Sequence, residues 1–277
     1  MRPHPAARER TDRRAGRRAA RRPRRSAMQA SSAPMTVRDW PFPHVTIDGY
    51  LDAGEYEALR RLFPTCPPNS GPTGYSHFWG DADFDALLDA EPAWRRFFDW
   101  TQSQAFVDIC LAPFADTIAR EAVVDLSHPR FVSHIETRRD KEQRYLGKTG
   151  LAPDQLFVRT DILQGNVGYD RRAHVDHRRR AATMLIYLCD GDEDEMVGGD
   201  LILHAVDGES VTIRPRHNRM VLFPCVNSSL HSVSRIESQR HPRNYVQLTV
   251  SSSVDLWESE RPGLRQALGR RMRALVG

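Results

Sequence analysis

His174, Asp176 and His177 are three metal-binding side chains within four positions, and they open the run HVDHRRRAATMLIYL (174–188). On an extended chain residues two apart share a face, so His174 and Asp176 point one way and His177 the other. One imidazole and one carboxylate make half a site. A second imidazole lies 55 residues beyond Asp176, at His231 in NRMVLFPCVNSSLHSVSRI, where another strand signal begins. Two neutral imidazoles and a carboxylate form a facial set that suits Fe(II), with positions left open for substrate and oxygen. Zinc accepts the same three ligands with a water, so ligand type alone does not choose the metal. A fourth residue, Arg243, opens the last apolar strand signal in HPRNYVQLTV, twelve positions after His231. A cation placed deep in a core requires an anion, and a dicarboxylate would pair with a guanidinium through two parallel hydrogen bonds.

The order HxD, TMLIYL, GGDL, RMVLF, HSV and then an arginine before a final strand resembles the Fe(II)/2-oxoglutarate-dependent dioxygenases, over roughly residues 156–252. The closer likeness is to their prolyl-hydroxylase-like branch, and the entry PFPHVTIDGYLDAGEYEALRRLFP is similar to the start of bacterial biosynthetic oxygenases of this kind. The resemblance implies a double-stranded β-helix (jelly-roll) core and a chain that uses Fe(II), 2-oxoglutarate and O2. It makes His174, Asp176 and His231 the iron ligands, converging at one end of the barrel, and gives Arg243 the distal carboxylate of 2-oxoglutarate. Tyr187 holds the position from which some relatives hydrogen-bond that carboxylate. Arg240, nine residues after His231, is the alternative arginine, and His177 the alternative metal ligand. Gly198 and Gly199 match a two-glycine turn. Relatives that halogenate lack the carboxylate ligand, so Asp176 implies hydroxylation or desaturation, with release of succinate and CO2.

The substrate is less legible. Arg178, Arg179 and Arg180 follow the ligand motif, and Arg138, Arg139 and Arg144 lie in a charged stretch before it. Arginines at the mouth of a site attract anions, so Arg178 and Arg180 are candidates on the substrate side. Tyr75 and Trp79 join them if the loop GYSHFWG (74–80) is a lid. The preferred reading is hydroxylation of a small molecule or glycan-type metabolite, anionic if those arginines contribute. The alternatives are a protein (prolyl-type) hydroxylase and a non-catalytic, metal-binding jelly-roll module.

Several elements must position these residues. A short strand at 44–47 precedes an amphipathic helix carrying Tyr56, Leu59 and Leu62, and residues 64–82, rich in Pro and Gly, read as a loop. Further helices follow to about residue 122. Beyond that point short strands alternate with turns: 130–136, 156–164, 181–188, 200–204, 210–213, 219–223, 231–236 and 244–251. The expected fold class is therefore mainly β with helices (α+β), a jelly roll at about 126–255 behind a helical part at about 36–125. Residues 260–277, including PGLRQALGRRMRALVG, read as a basic amphipathic helix. The acidic run DGDEDE (190–195) lacks the Gly and terminal Glu of an EF-hand and reads as a solvated turn. GNVG (165–168) is too short for a dinucleotide fingerprint, and no Walker or GxSxG motif occurs.

Composition bounds the rest. The chain has 277 residues and a net charge of +4, yet residues 1–27 alone hold eleven Arg against Glu9 and Asp12, a net of +9. The remainder is mildly acidic. That segment has almost nothing to build a core with, so residues 1–35 are expected to be a disordered tail. With no aromatic residue among its arginines it is a poor nucleic-acid arm. It reads as a solvated extension, or as sequence ahead of a start at Met28 or Met35. No apolar run approaches the roughly 18 residues of a membrane span. Cys66, Cys110, Cys189 and Cys225 are widely spaced, which favours free thiols and a cytoplasmic setting.

Overall fold

A computed structural model describes residues 28, 30, 34–67, 74–135 and 150–258. Strand β1 (Val45–Ile47) leads into helix α1 (Ala53–Arg61), whose first turn is capped by the Asp52 carboxylate accepting from the Gly54 and Glu55 amides at 2.9 and 3.3 Å. Strand β2 (Gly74–Phe78) follows, then helices α2 (Ala82–Ala90), α3 (Pro92–Thr101), α4 (Gln104–Leu111) and α5 (Ala115–Glu121). The remaining strands are β3 (Arg130–Phe131), β4 (Gln155–Gly165), β5 (Arg171–His174), β6 (Arg180–Tyr187), β7 (Leu201–His204), β8 (Ser210–Ile213), β9 (Met220–Pro224), β10 (His231–Val233) and β11 (Arg243–Ser252).

They form two sheets. The larger runs β1-β9-β6-β11-β4-β2, with β3 alongside β4, and the smaller runs β5-β10-β7-β8. Every pairing is antiparallel except that of β3 with β4. Period-two alternation divides the larger sheet cleanly. Met184, Ile186, Leu222, Val246, Leu248 and Val250 face the helices, packing with Trp94, Phe97 and Phe106. Leu185, Tyr187, Val221, Phe223 and Tyr245 face the smaller sheet, against Leu201, Leu203 and Ile213. The result is a mainly β fold with a helical layer on one face and a jelly-roll-like space between two curled sheets on the other. The helices therefore support the large sheet from behind, and the functional space lies on its opposite face.

Two expectations need correction. Residues 74–78 are not loop but strand, because β2 hydrogen-bonds to the edge of β4 with Phe78 opposite Asp161. Trp79 is consequently no lid residue: it is 7% exposed and stacks edge-on against Phe98 at 5.3 Å. The Tyr75 side chain, Arg138, Arg139, Arg144, the tail and the 260–277 helix lie outside the described part. Among the described residues no helix is long and apolar enough to cross a membrane, and all four cysteines are buried free thiols.

Adjacent residues on β6 should report the division of faces. Met184→Ala, on the helical side with no exposed surface, is expected to cost about 2–5 kcal/mol of stability, read from the shift of a urea unfolding midpoint, with metal affinity unchanged.

Candidate metal centre

His174 and His231 come together because β5 and β10 are paired with these two residues directly opposite in register. Their rings lie 4.4 Å apart between centroids. Each ring is oriented by its own backbone: His174 Nδ1 contacts the Arg172 carbonyl at 2.8 Å and His231 Nδ1 the Ser229 carbonyl at 2.9 Å. An Nδ1–H donated to a carbonyl fixes the tautomer and leaves the Nε2 lone pair for a metal. Burial lowers the pKa of His231, most strongly of the causes acting on it, and so favours the neutral imidazole that a metal requires.

Asp176 completes the set, though not by strand alternation. β5 ends at His174, and Asp176 sits in the connection to β6, reaching back to the large sheet. There Thr183 donates its hydroxyl to Oδ2 at 2.7 Å and Arg180 donates Nη1 to Oδ1 at 2.6 Å. Burial works against ionisation of this carboxyl, yet the Arg180 guanidinium, His231, the Thr183 hydroxyl and His174 together hold its pKa well below the usual carboxylate range. The ligand atoms of His174, Asp176 and His231 all lie within 4.8 Å of one another. Two imidazoles with free Nε2 atoms and one ionised carboxylate fit Fe(II). The Cys225 thiol stands 3.6 Å from Asp176 Oδ2, and burial drives its pKa up, so it stays a thiol.

Arg243 lies on the same inward face at the start of β11, 1% exposed. Its Nε donates to the Gly199 carbonyl at 2.7 Å and its Nη2 to the Tyr187 hydroxyl at 3.2 Å. The guanidinium also rests on the rings of Tyr245 and Tyr187, at 4.5 and 5.1 Å. Nη1 is buried with no partner. The two-glycine turn explains this placement. Gly198 and Gly199 have φ of +81° and +75°, and a Cβ on Gly198 would stand 1.8 Å from the Arg235 carbonyl oxygen. Only glycine lets the turn close enough to present the Gly199 carbonyl to Arg243.

The triad and Arg243 line one cavity of about 520 Å³. Asp161 and Gln247, cross-strand partners on β4 and β11, form part of its wall. Asp161 accepts from Arg159 Nε at 2.6 and 2.8 Å, and both residues are buried. Burial, the largest influence, pushes the Asp161 carboxyl up against the pull of Arg159.

Other candidate residues fall elsewhere. Arg240 is exposed and ion-paired with Glu195. His177 is exposed, its Nδ1 accepting from the Arg179 amide, and it does not join the triad. Arg178 pairs with Asp255 at 2.9 Å. Arg180 lines the cavity, but its guanidinium is bound to the metal-site carboxylate. Reading by motif missed Thr183, the Arg159–Asp161 pair and Gln247. The signal was present: charges at 159 and 161 share one face of an otherwise apolar strand, where they must be satisfied inside.

Residues 160–248 match the family model of the 2OG-Fe(II) oxygenase superfamily, a span that contains all three candidate ligands and Arg243. A search of curated proteins gave no match. Among solved structures, a prolyl 4-hydroxylase from Phytophthora capsici is 18% identical with a TM-score of 0.46, over 76% of this chain and 58% of that one. HygX from Streptomyces hygroscopicus, with nickel and 2-oxoglutarate bound, is 14% identical with a TM-score of 0.45, over 80% of this chain and 89% of that one. An oxidoreductase of the 2OG-Fe(II) oxygenase family from Burkholderia pseudomallei is 13% identical with a TM-score of 0.42, over 77% and 86%. The chain thus spans 58% of the Phytophthora enzyme's length. The match over residues 160–248 is to a dioxygenase family that uses Fe(II), 2-oxoglutarate and O2.

Thr183→Val removes one hydrogen bond to Asp176 at nearly constant shape. It is expected to weaken Mn(II) binding, a redox-stable stand-in for Fe(II), about tenfold or more, measured by calorimetry. An unchanged affinity would mean that Thr183 does not orient the carboxylate.

Proposed function

We propose that this member of the 2OG-Fe(II) oxygenase superfamily hydroxylates a C–H bond of a small molecule or glycan-type metabolite, with His174, Asp176 and His231 holding the iron and Arg243 and Tyr187 holding 2-oxoglutarate. The observation that carries the reading is the unpartnered Nη1 of a guanidinium that is otherwise bonded and buried, in the same cavity as the triad. A carboxylate is the group that satisfies such a donor without stranding the charge. When bound, iron with 2-oxoglutarate and O2 supplies the oxidising power, and the cosubstrate leaves as succinate and CO2.

The protein's part is to place and to enclose. Asp176 stays ionised under Arg180 and Thr183, and the two histidines are aimed by backbone carbonyls. Arg243, fixed by Gly199 and resting on two tyrosine rings, sets where the far carboxylate of the cosubstrate lies. Leu163, Leu185 and Phe223 supply the apolar part of the cavity lining. Arg171 and Arg235 also line it, both exposed. The charges of Fe(II) and 2-oxoglutarate cancel, and the four arginines of the cavity then outnumber its three aspartates. This balance supports a substrate with an anionic group near the mouth.

His231→Ala is expected to abolish Fe(II)-dependent succinate formation in the fraction that remains folded; wild-type turnover in the variant would refute the ligand assignment. Arg243→Lys keeps the charge but loses the planar pair of donors. Loss of such a charge-assisted contact costs about 1.5–3 kcal/mol, so 2-oxoglutarate affinity should fall about tenfold to a hundredfold at saturating metal. Arg240→Lys should change it little. A large loss at Arg240 with none at Arg243 would reverse the assignment.

A further inference from the structure

A groove of about 780 Å³ lies on the helical side, away from the metal centre. Its floor is Leu111, Ile118 and Leu126, all buried. Ala115 and Ala119 of α5 and Val123 line its open side, and Val123 is 54% exposed. Three exposed carboxylates, Asp108, Asp116 and Asp125, lie along it, and no Lys or Arg does among the described residues. An apolar trough edged by one sign of charge fits an amphipathic segment of the opposite sign.

The chain itself supplies one. The Val123 amide donates to the Leu256 carbonyl at 2.8 Å, and Ala122 bridges to Trp257, so the polypeptide reaches Glu258 beside the groove. Residues 259–277 then carry five arginines against one glutamate, with Leu264, Leu268, Met272 and Leu275 at helical spacing. Small residues at 115 and 119 allow close approach of such a segment. Residues 259–263 span at most about 17 Å, enough to enter a groove whose edge the chain already touches. The arginine-rich residues 1–27 have the charge but no apolar stripe to fill the floor.

We propose that residues 259–277 dock in this groove, apolar stripe inward and arginines toward Asp108, Asp116 and Asp125. Hydrogen exchange by mass spectrometry on the full chain tests it, with a synthetic 259–277 peptide as the unprotected standard. Amides of 264–276 should exchange at least tenfold more slowly in the protein than in the free peptide. That protection should vanish in Ala119→Arg, which blocks the groove, and fall with added salt in the wild type. Asp116→Lys/Asp125→Lys, changing only exposed side chains, should also remove it, and carries the test if Ala119→Arg does not fold. Peptide-like exchange in the wild type would overturn the proposal. So would protection that survives the groove substitutions, which places the segment elsewhere, or protection lost on dilution, which assigns the groove to a second copy.

Discussion

The Arg243 guanidinium is the group around which the inner space of this fold is organised. A permanent charge 1% exposed is tolerated only when dipoles, rings or counter-charges replace the water it has lost. Gly199 supplies a carbonyl, Tyr187 a hydroxyl and a ring face, and Tyr245 a second ring face. Each of those depends on something further away. The Gly199 carbonyl needs the left-handed turn at 198–199. Tyr187 and Tyr245 need the register that sets β6 against β11, in which they are direct partners. One nitrogen is still unsatisfied, and the cavity that leads from it ends at the His-Asp-His set.

The two sheets contribute differently to that set. The smaller sheet brings the histidines together by pairing β5 with β10, so their separation is fixed by backbone register. The aspartate comes from a connection and is held by two side chains of β6, Thr183 and Arg180. A helical layer presses on the reverse of the large sheet through Met184, Ile186, Val246 and Leu248. Core packing on one face and polar positioning on the other are thus carried by alternate residues of the same strands. Thr183 and Met184 are neighbours in sequence with unrelated duties.

Much of this was legible in the sequence, for a physical reason. Long alternating runs such as 156–164, 181–188 and 244–251 must bury one face or both, and they became β4, β6 and β11. Short elements were harder. β5 is four residues of mixed polarity, with no pattern to mark it as strand, and it exists because β10 pairs with it. β2 was hidden by the Pro- and Gly-rich sequence around it and is formed by the free edge of β4. The same edge pairing carries the chain on to Trp79, which sits in the core where a lid residue was expected. The three candidate ligands do meet, although HxD works here as the end of a strand and the turn after it. The partners of Asp176 could not be read from a motif, since Thr183 looks like any residue of an apolar strand until its face is known.

The central claim is that the metal triad and Arg243 grip one molecule between them. The direct measurement is the affinity of the full-length protein for 2-oxoglutarate with and without saturating Mn(II), under conditions without turnover. If one ligand spans both ends, metal and 2-oxoglutarate must strengthen each other's binding by the same factor. The account predicts at least tenfold coupling, lost in His174→Ala. Equal affinities with and without metal, or binding that ignores the triad, would contradict it.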